Sequence, residues 1–349
     1  MHRPIAPATT TSVPREEGND AESESEPGVK FGWIALKVPF LDLELPLKLD
    51  CGIELRSQIE LKDEFWVKGL GEWKLESLHE CNLIVVASAP SEKPEILDAE
   101  HTALMERAWR FVLALVTVGA RINNVPVTIK GSVIDSKEGV RMYSEGHAFM
   151  ETEGCPYTIV NAVRIAEAEA VLRGINRLYG KVKEFRRLRK GFRSLMDGTE
   201  EGSCDDRVYF FARALEALHA SKRTDGKATF VGKCQVFTGS RPEFKTLFED
   251  LYDIRNNVVH VNGFEDLIKS GESGKQAEKR IVRQCVAAEI LAKETYRRVL
   301  SDAVLLENFV DDAATRAWWA THPKFRPYIR PKTIRAKRSA EVEAWHDRL

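Results

Sequence analysis

The spacing of the hydrophobic residues changes once, near Tyr157, and that change limits the fold more than any other feature of the chain. Before it, apolar residues come in short, partly alternating runs punctuated by Pro and Gly: WIALKVPF, LELPLKL, GIELRSQIEL and the continuous NLIVVASA at Asn82 to Ala89. Runs of this kind predict strands. One helix is predicted among them, from about Ala99 to Gly119, where Leu104, Ala108, Phe111 and Leu115 keep helical spacing and Gly119 is a natural stop. VPVTIKGSVI and VRMYSEGHAFME then predict two more strands.

After Tyr157 the pattern is helical throughout. TIVNAVRIAEAEAVLRGINRLYG, KVKEFRRLRKGFRSLMDG and DDRVYFFARALEALHAS are three successive amphipathic segments. In the third, Val208, Phe211, Leu215 and Leu218 form a seam at helical intervals. An irregular stretch, KRTDGKATFVGKCQVFTGS, is expected to separate it from a fourth helix that begins near Pro242. A fifth, from about Lys275 to Leu300, carries Ile281, Cys285, Ala288 and Leu291 at core spacing. The expected fold class is therefore an α+β N-terminal domain followed by an all-α bundle, at boundaries of 29–155 and 157–305.

The flanks differ. Residues 1–28 combine TTTS with EEGNDAESESEP, polar and acidic without aromatics, and predict a disordered tail. Residues 306–349 form a basic, aromatic-rich C-terminal segment. The six cysteines contain no C-x-x-C pair, which argues against a zinc site or a disulfide framework. The opening MHRPIAPATT lacks the apolar core of a secretory signal, and the most apolar run, Phe111 to Val118, is far short of the roughly 20 residues that span a bilayer. The expected address is the cytoplasm, with no membrane association. The N-terminal domain shows no phosphate loop, nucleophile elbow or metal cluster, and its role is not legible.

One segment carries chemistry: PEFKTLFEDLYDIRNNVVHVNGF. Leu247, Leu251, Ile254, Val258 and Val261 make one core stripe. At 100° per residue, Asn256 and His260 share a face roughly opposite it, with Arg255 at the boundary. Tyr252 and Val259 flank that outward face and would be wet on a lone bundle, which suggests a second copy of the chain as their cover.

The run LYDIRNNVVH, behind DRVYFFARALEALHAS, resembles the signature of HEPN domains (higher eukaryotes and prokaryotes nucleotide-binding): Arg, a polar residue, three variable positions and His. It looks most like the ApeA-like branch, which joins a variable N-terminal domain to a C-terminal HEPN bundle and is associated with abortive anti-phage defence. The resemblance covers about residues 178–301. It implies RNA cleavage without metal or other cofactor, at a site formed where two bundles pair in a homodimer.

The residue types fit that chemistry. RNA supplies its own nucleophile, the 2′-hydroxyl. A histidine such as His260 can take or give a proton near neutral pH. The planar fork of Arg255 matches phosphate oxygens that gain charge in the transition state. Asn256 can hold His260 or a phosphate by hydrogen bonding. Glu216, in ALEAL, lies where related domains often carry an acidic residue, and its implied role is to orient Arg255. A salt bridge to Arg213 is the plain structural alternative. Asn262 stands where HEPN toxins silenced by nucleotidylation carry a tyrosine, so that route of control is not expected.

The formal net charge is only −1, yet cations are concentrated in two places. Lys181 to Arg193 has Glu184 as its one acid, and Arg316 to Arg338 has none while interleaving Trp318, Trp319, Phe325 and Tyr328. Such segments suit RNA through counterion release and stacking, with Arg186, Arg187, Lys190, Arg326 and Arg330 as candidate contacts. Alternatively the tryptophans dock the C-terminal segment onto the bundle. The expected function is an endoribonuclease of an abortive-infection or toxin system, its N-terminal domain sensing a trigger, phage-derived in a defence setting, or restraining the nuclease. The alternative is a non-catalytic HEPN module that binds nucleotide, RNA or a protein partner.

Overall fold

A computed structural model describes residues 28–58, 68, 70–134, 137–150, 154–181, 183–219, 226–238, 242–260 and 264–321. Residues 1–27 of the predicted acidic tail, Asn262, the end of the core stripe at Val261, and the cations Arg326 and Arg330 lie outside those residues.

The N-terminal part is a six-stranded antiparallel sheet: β1 (Gly28–Leu36), β2 (Leu47–Lys48), β3 (Ile53–Arg56), β4 (Leu83–Ser91), β5 (Val127–Ile134) and β6 (Lys137–Glu145), in the order β2-β3-β4-β1-β5-β6. β1 is one of the two central strands, with Trp33 opposite Val86 of β4 and Ile129 of β5. Alternation along it serves both faces. Ile34 and Leu36 join Leu83, Val85 and Ala87 on one side, and Phe31 and Trp33 join Ile84, Val86 and Ile129 on the other.

The second face is closed partly by Leu78 of α1 (Glu72–His79), a helix the sequence pattern did not predict. It is short and exposes all but one of its side chains to some degree, so no apolar stripe announces it. The first face is covered by α2 (Ala99–Thr117), which starts at an Asp98 cap. Gly32 lets α2 come close, because a Cβ there would lie 3.0 Å from the Met105 backbone nitrogen.

α2 also packs against α3 (Ala162–Gly180), the first of the C-terminal helices. One hydrophobic core therefore runs without a break from the sheet, through α2, into the helical region. There α4 (Arg186–Glu200), α5 (Cys204–Ala217), α6 (Lys227–Thr238), α7 (Pro242–Val259) and α8 (Gly274–Ser301) follow, with the short α9 (Ala303–Glu307) and α10 (Asp312–Thr321) closing the described chain. α5 is central, touching α4, α7 and α8. Its predicted seam of Val208, Phe211, Leu215 and Leu218 is buried throughout. α3 and α8 meet closely at Gly174, where any side chain would strike the Leu300 carbonyl.

Two local expectations fail. The second helical segment does not begin at Lys181: Phe185 is left-handed, with φ 54°, and α4 starts after it. That conformation costs about 1–2 kcal/mol for a residue with a side chain. It is held by complete burial of the Phe185 ring and by a 2.6 Å hydrogen bond from its amide to the Val310 carbonyl. The stretch expected to be irregular contains α6, whose Phe230, Val231, Cys234 and Phe237 are all buried at helical intervals. Thr, Val and Gly, all weak helix formers, had masked that period.

Candidate functional site

Glu216 lies in the last turn of α5, and Arg255 and Asn256 in the last turn of α7. The two helices are brought together by Phe211 and Leu215 on one and Phe248, Leu251 and Ile254 on the other, all buried. The core stripe predicted for α7 thus aims its opposite boundary at α5.

Arg255 Nη2 donates to Glu216 Oε2 at 3.0 Å, and Arg255 Nη1 donates to Asn256 Oδ1 at 2.7 Å. A guanidinium has five N–H donors. These two bonds fix the plane of the fork while leaving the second hydrogen on each terminal nitrogen. The Arg255 and Glu216 side chains are each 26% exposed, so the pair is only partly desolvated. Arg213 is engaged elsewhere, with the Tyr209 hydroxyl at 2.8 Å. Arg255 also lies 5.9 Å from the Tyr252 ring centroid.

His260 is the first residue past the α7 helix and is exposed, its amide still donating to the Asn256 carbonyl at 3.1 Å. The expectation that the motif lies wholly inside a helix therefore holds for Arg255 and Asn256 but not for His260. Asn256 is committed to Arg255, whereas the sequence had offered His260 as a possible partner. Asn256 and His260 line one groove, together with Asp253, Asn257, Asp266 and Lys269. Much of its charge is internally balanced, because Lys227 binds Asp253 and Lys269 binds Asp250, each at 2.6 Å.

The other predicted residues are placed as follows. Val259 is 43% exposed, but Tyr252 is half-buried, its ring 5.6 Å from that of Phe230 on α6. The helix hidden in the supposed loop thus provides part of the cover that the sequence assigned to a second chain. Arg186 and Lys190 are exposed on α4. Arg187, expected to be free for RNA, makes a two-point ion pair with Asp312 at 2.7 and 2.8 Å. That pair holds the Asp312 carboxyl below its usual range.

Trp318 is buried between Phe237 and Phe309, and Trp319 Nε1 donates to the Leu218 carbonyl at 2.8 Å. Docking is thus the observed role of both tryptophans, and it braces the end of α5 two residues beyond Glu216. Among the described residues no group of His, Cys, Asp or Glu is arranged to hold a metal ion, and no helix is long and apolar enough to cross a membrane.

His219, three residues past Glu216, was not singled out by its sequence context. It is buried, with its ring edge-on to Trp319 and Phe230 and its Nε2 3.9 Å from Cys234 Sγ. Burial, aided by the Lys233 cation, pushes its pKa from 6.5 down to about 3. The folded chain therefore keeps this imidazole neutral while the unfolded chain protonates it below about pH 6.5. This contribution to stability is complete above that pH and is lost as pH falls towards 3. Denaturant titrations should show the parent losing about 3 kcal/mol more than His219→Gln on going from about pH 7 to about pH 4. Equal losses in the two proteins would contradict this.

No family model matches the chain, and neither a curated protein nor a solved structure matches it.

Proposed function

We propose that the chain is a HEPN-type endoribonuclease that cuts RNA without a metal, using the substrate's 2′-hydroxyl as nucleophile. The reading rests on one observation: the hydrogen-bonded row Glu216–Arg255–Asn256, whose last member lines a groove with the exposed His260 one turn beyond it. In this scheme the imidazole of His260 exchanges a proton with the 2′-oxygen or the leaving 5′-oxygen. The Arg255 fork, held in plane by Glu216 and Asn256, binds the non-bridging phosphate oxygens as charge builds on them. The products are a 2′,3′-cyclic phosphate and a 5′-hydroxyl.

Val259, exposed beside His260, gives a paired bundle an apolar contact, so the dimer belongs to the same proposal, as does a role in abortive defence with the N-terminal domain as trigger sensor. Of the five candidate RNA contacts, Arg186 and Lys190 are described and exposed, and can follow an RNA backbone.

The test is incubation of full-length parent and His260→Ala protein with mixed RNA in excess EDTA, followed by end analysis. The parent should leave cyclic ends, and the variant should be slower by about 10²–10⁴-fold. Because His260 is exposed and off the core, the variant should melt like the parent. Equal cleavage by both would end the assignment. Labelled RNA bound equally by both and recovered intact would instead favour a binding module.

A further inference from the structure

Cys204 and Cys285 are brought to the same place on the seam between α5 and α8: Cys204 stands one turn before Arg207, Cys285 one turn before Glu289, and Arg207 and Glu289 meet at 2.8 Å. Cys204 is the first residue of α5 and half-buried, while Cys285 lies buried in the middle of α8. One to two turns further along the same seam lie three ionisable side chains. Arg207 Nη2 donates to Glu289 Oε2 at 2.8 Å and Lys293 Nζ to Glu289 Oε1 at 2.7 Å. The Arg207 and Glu289 side chains are only 2% and 1% exposed.

Two cations thus face one carboxylate, and the buried Arg207 Nε has no hydrogen-bond partner among the described residues. Charge balance at this spot favours one more anion, and the half-buried thiol three residues before Arg207 can supply it. The amino end of α5 acts in the same direction.

The adjoining Cys285 thiol, then the Arg207 charge, lower the Cys204 pKa from 9.0 to about 7, against burial and the neighbouring Asp205. Cys285 moves the opposite way, raised by the Cys204 thiol and by its burial. Cys155, which senses the same Glu289, Lys293 and Arg207, is pushed by burial up to about 12. Cys204, at the amino end of α5 and less buried than Cys285, is the thiol set apart as the nucleophile.

We propose that Cys204 is a peroxide-reactive thiol and that Cys285 resolves it, forming a disulfide that ties α5 to α8. In the first step the Cys204 thiolate attacks a hydroperoxide oxygen, the O–O bond breaks, and Cys204 becomes a sulfenic acid with loss of hydroxide. The Cys285 sulfur then attacks Cys204 Sγ. The S–S bond forms, the S–O bond breaks, and the departing hydroxide leaves as water with the Cys285 proton. Two thiols and one hydrogen peroxide become one disulfide and two waters, so peroxide takes up the two electrons. A cellular dithiol reverses the change. None of this depends on the ribonuclease reading.

Reduced full-length protein treated with hydrogen peroxide should lose two hydrogens by intact mass, and peptide mapping should find Cys204 joined to Cys285. Cys285→Ser should instead accumulate a dimedone-reactive sulfenic acid at Cys204, and Cys155→Ser should cross-link as the parent does. In the untreated parent, iodoacetamide labelling of Cys204 should reach half its limiting rate near pH 7. Oxidation of the half-buried Cys51 while Cys204 stays reduced would overturn the proposal, as would a mapped bridge from Cys204 to Cys155.

Discussion

Replacing Arg255 by Lys should lower kcat/KM for RNA cleavage by about 10²–10³-fold, although the positive charge is kept. The geometry makes this substitution more informative than removal. Arg255 is anchored at two points, to Glu216 at 3.0 Å and to Asn256 at 2.7 Å, and its plane is set by having both. An ammonium is a point charge on a flexible stem and cannot hold both anchors while presenting further donors to a phosphate. The loss should appear in kcat more than in KM, because the interaction strengthens as charge develops on the phosphate. Glu216→Gln keeps a hydrogen-bond acceptor and should cost less, about tenfold, through weaker anchoring. Both variants should fold, since each side chain is partly exposed and off the core stripes. An Arg255→Lys protein as active as its parent would mean that the fork has no role in catalysis.

What could be read from the sequence and what could not follow from the range over which each interaction acts. The seams of α5 and α7 are periodic within one element, so Leu215, Leu251 and Ile254 were legible as core. Once both seams are inward, the ends of the two helices carry Glu216 and Arg255 to the same place, although the acid 39 residues before the arginine was nominated by the family resemblance and not by the seams. Interactions that cross the fold leave no local trace. Arg187 looks like a free cation until Asp312, 125 residues later, binds it. Tyr252 looks uncovered until Phe230 is known to sit on a helix. The end of α7 was misjudged for a related reason: spacing placed His260 on a face but did not say that the helix would stop one residue before it.

The continuity of the core bears on how this protein can be dissected. Chain order suggested a cut near residue 157, between a strand-rich part and a helical part. Yet α3, just past that point, buries Val171, Leu172 and Ile175 in the same cluster that holds Phe111, Val112 and Leu115 of α2. Removing the N-terminal part would expose an apolar face of the bundle to water. If the N-terminal part senses a trigger, this shared core is a direct mechanical route from sheet to bundle, and experiments on activity belong on the full chain.

Glu289→Ala should be the most destabilising substitution of a charged residue named here, lowering unfolding stability by about 3–5 kcal/mol in urea titrations. Glu289 is 1% exposed and receives both Arg207 and Lys293, so deleting it leaves two buried cations facing each other without an intervening carboxylate. Arg207 is bound to α5 and cannot swing to water without pulling away from its contact over the Phe211 ring. Most of the cost is thus the penalty of uncompensated charge and not the worth of the ion pair itself. That distinction is testable. Replacing all three charges together, Arg207→Met with Glu289→Leu and Lys293→Met, should recover most of the lost stability, since packed apolar groups carry no desolvation penalty. The same triple variant removes the cation one turn from Cys204, so its thiol should label more slowly near neutral pH even as the fold recovers. A Glu289→Ala protein within about 1 kcal/mol of the parent would show that the cluster is hydrated in solution, and the electrostatic basis for a reactive Cys204 would fall with it.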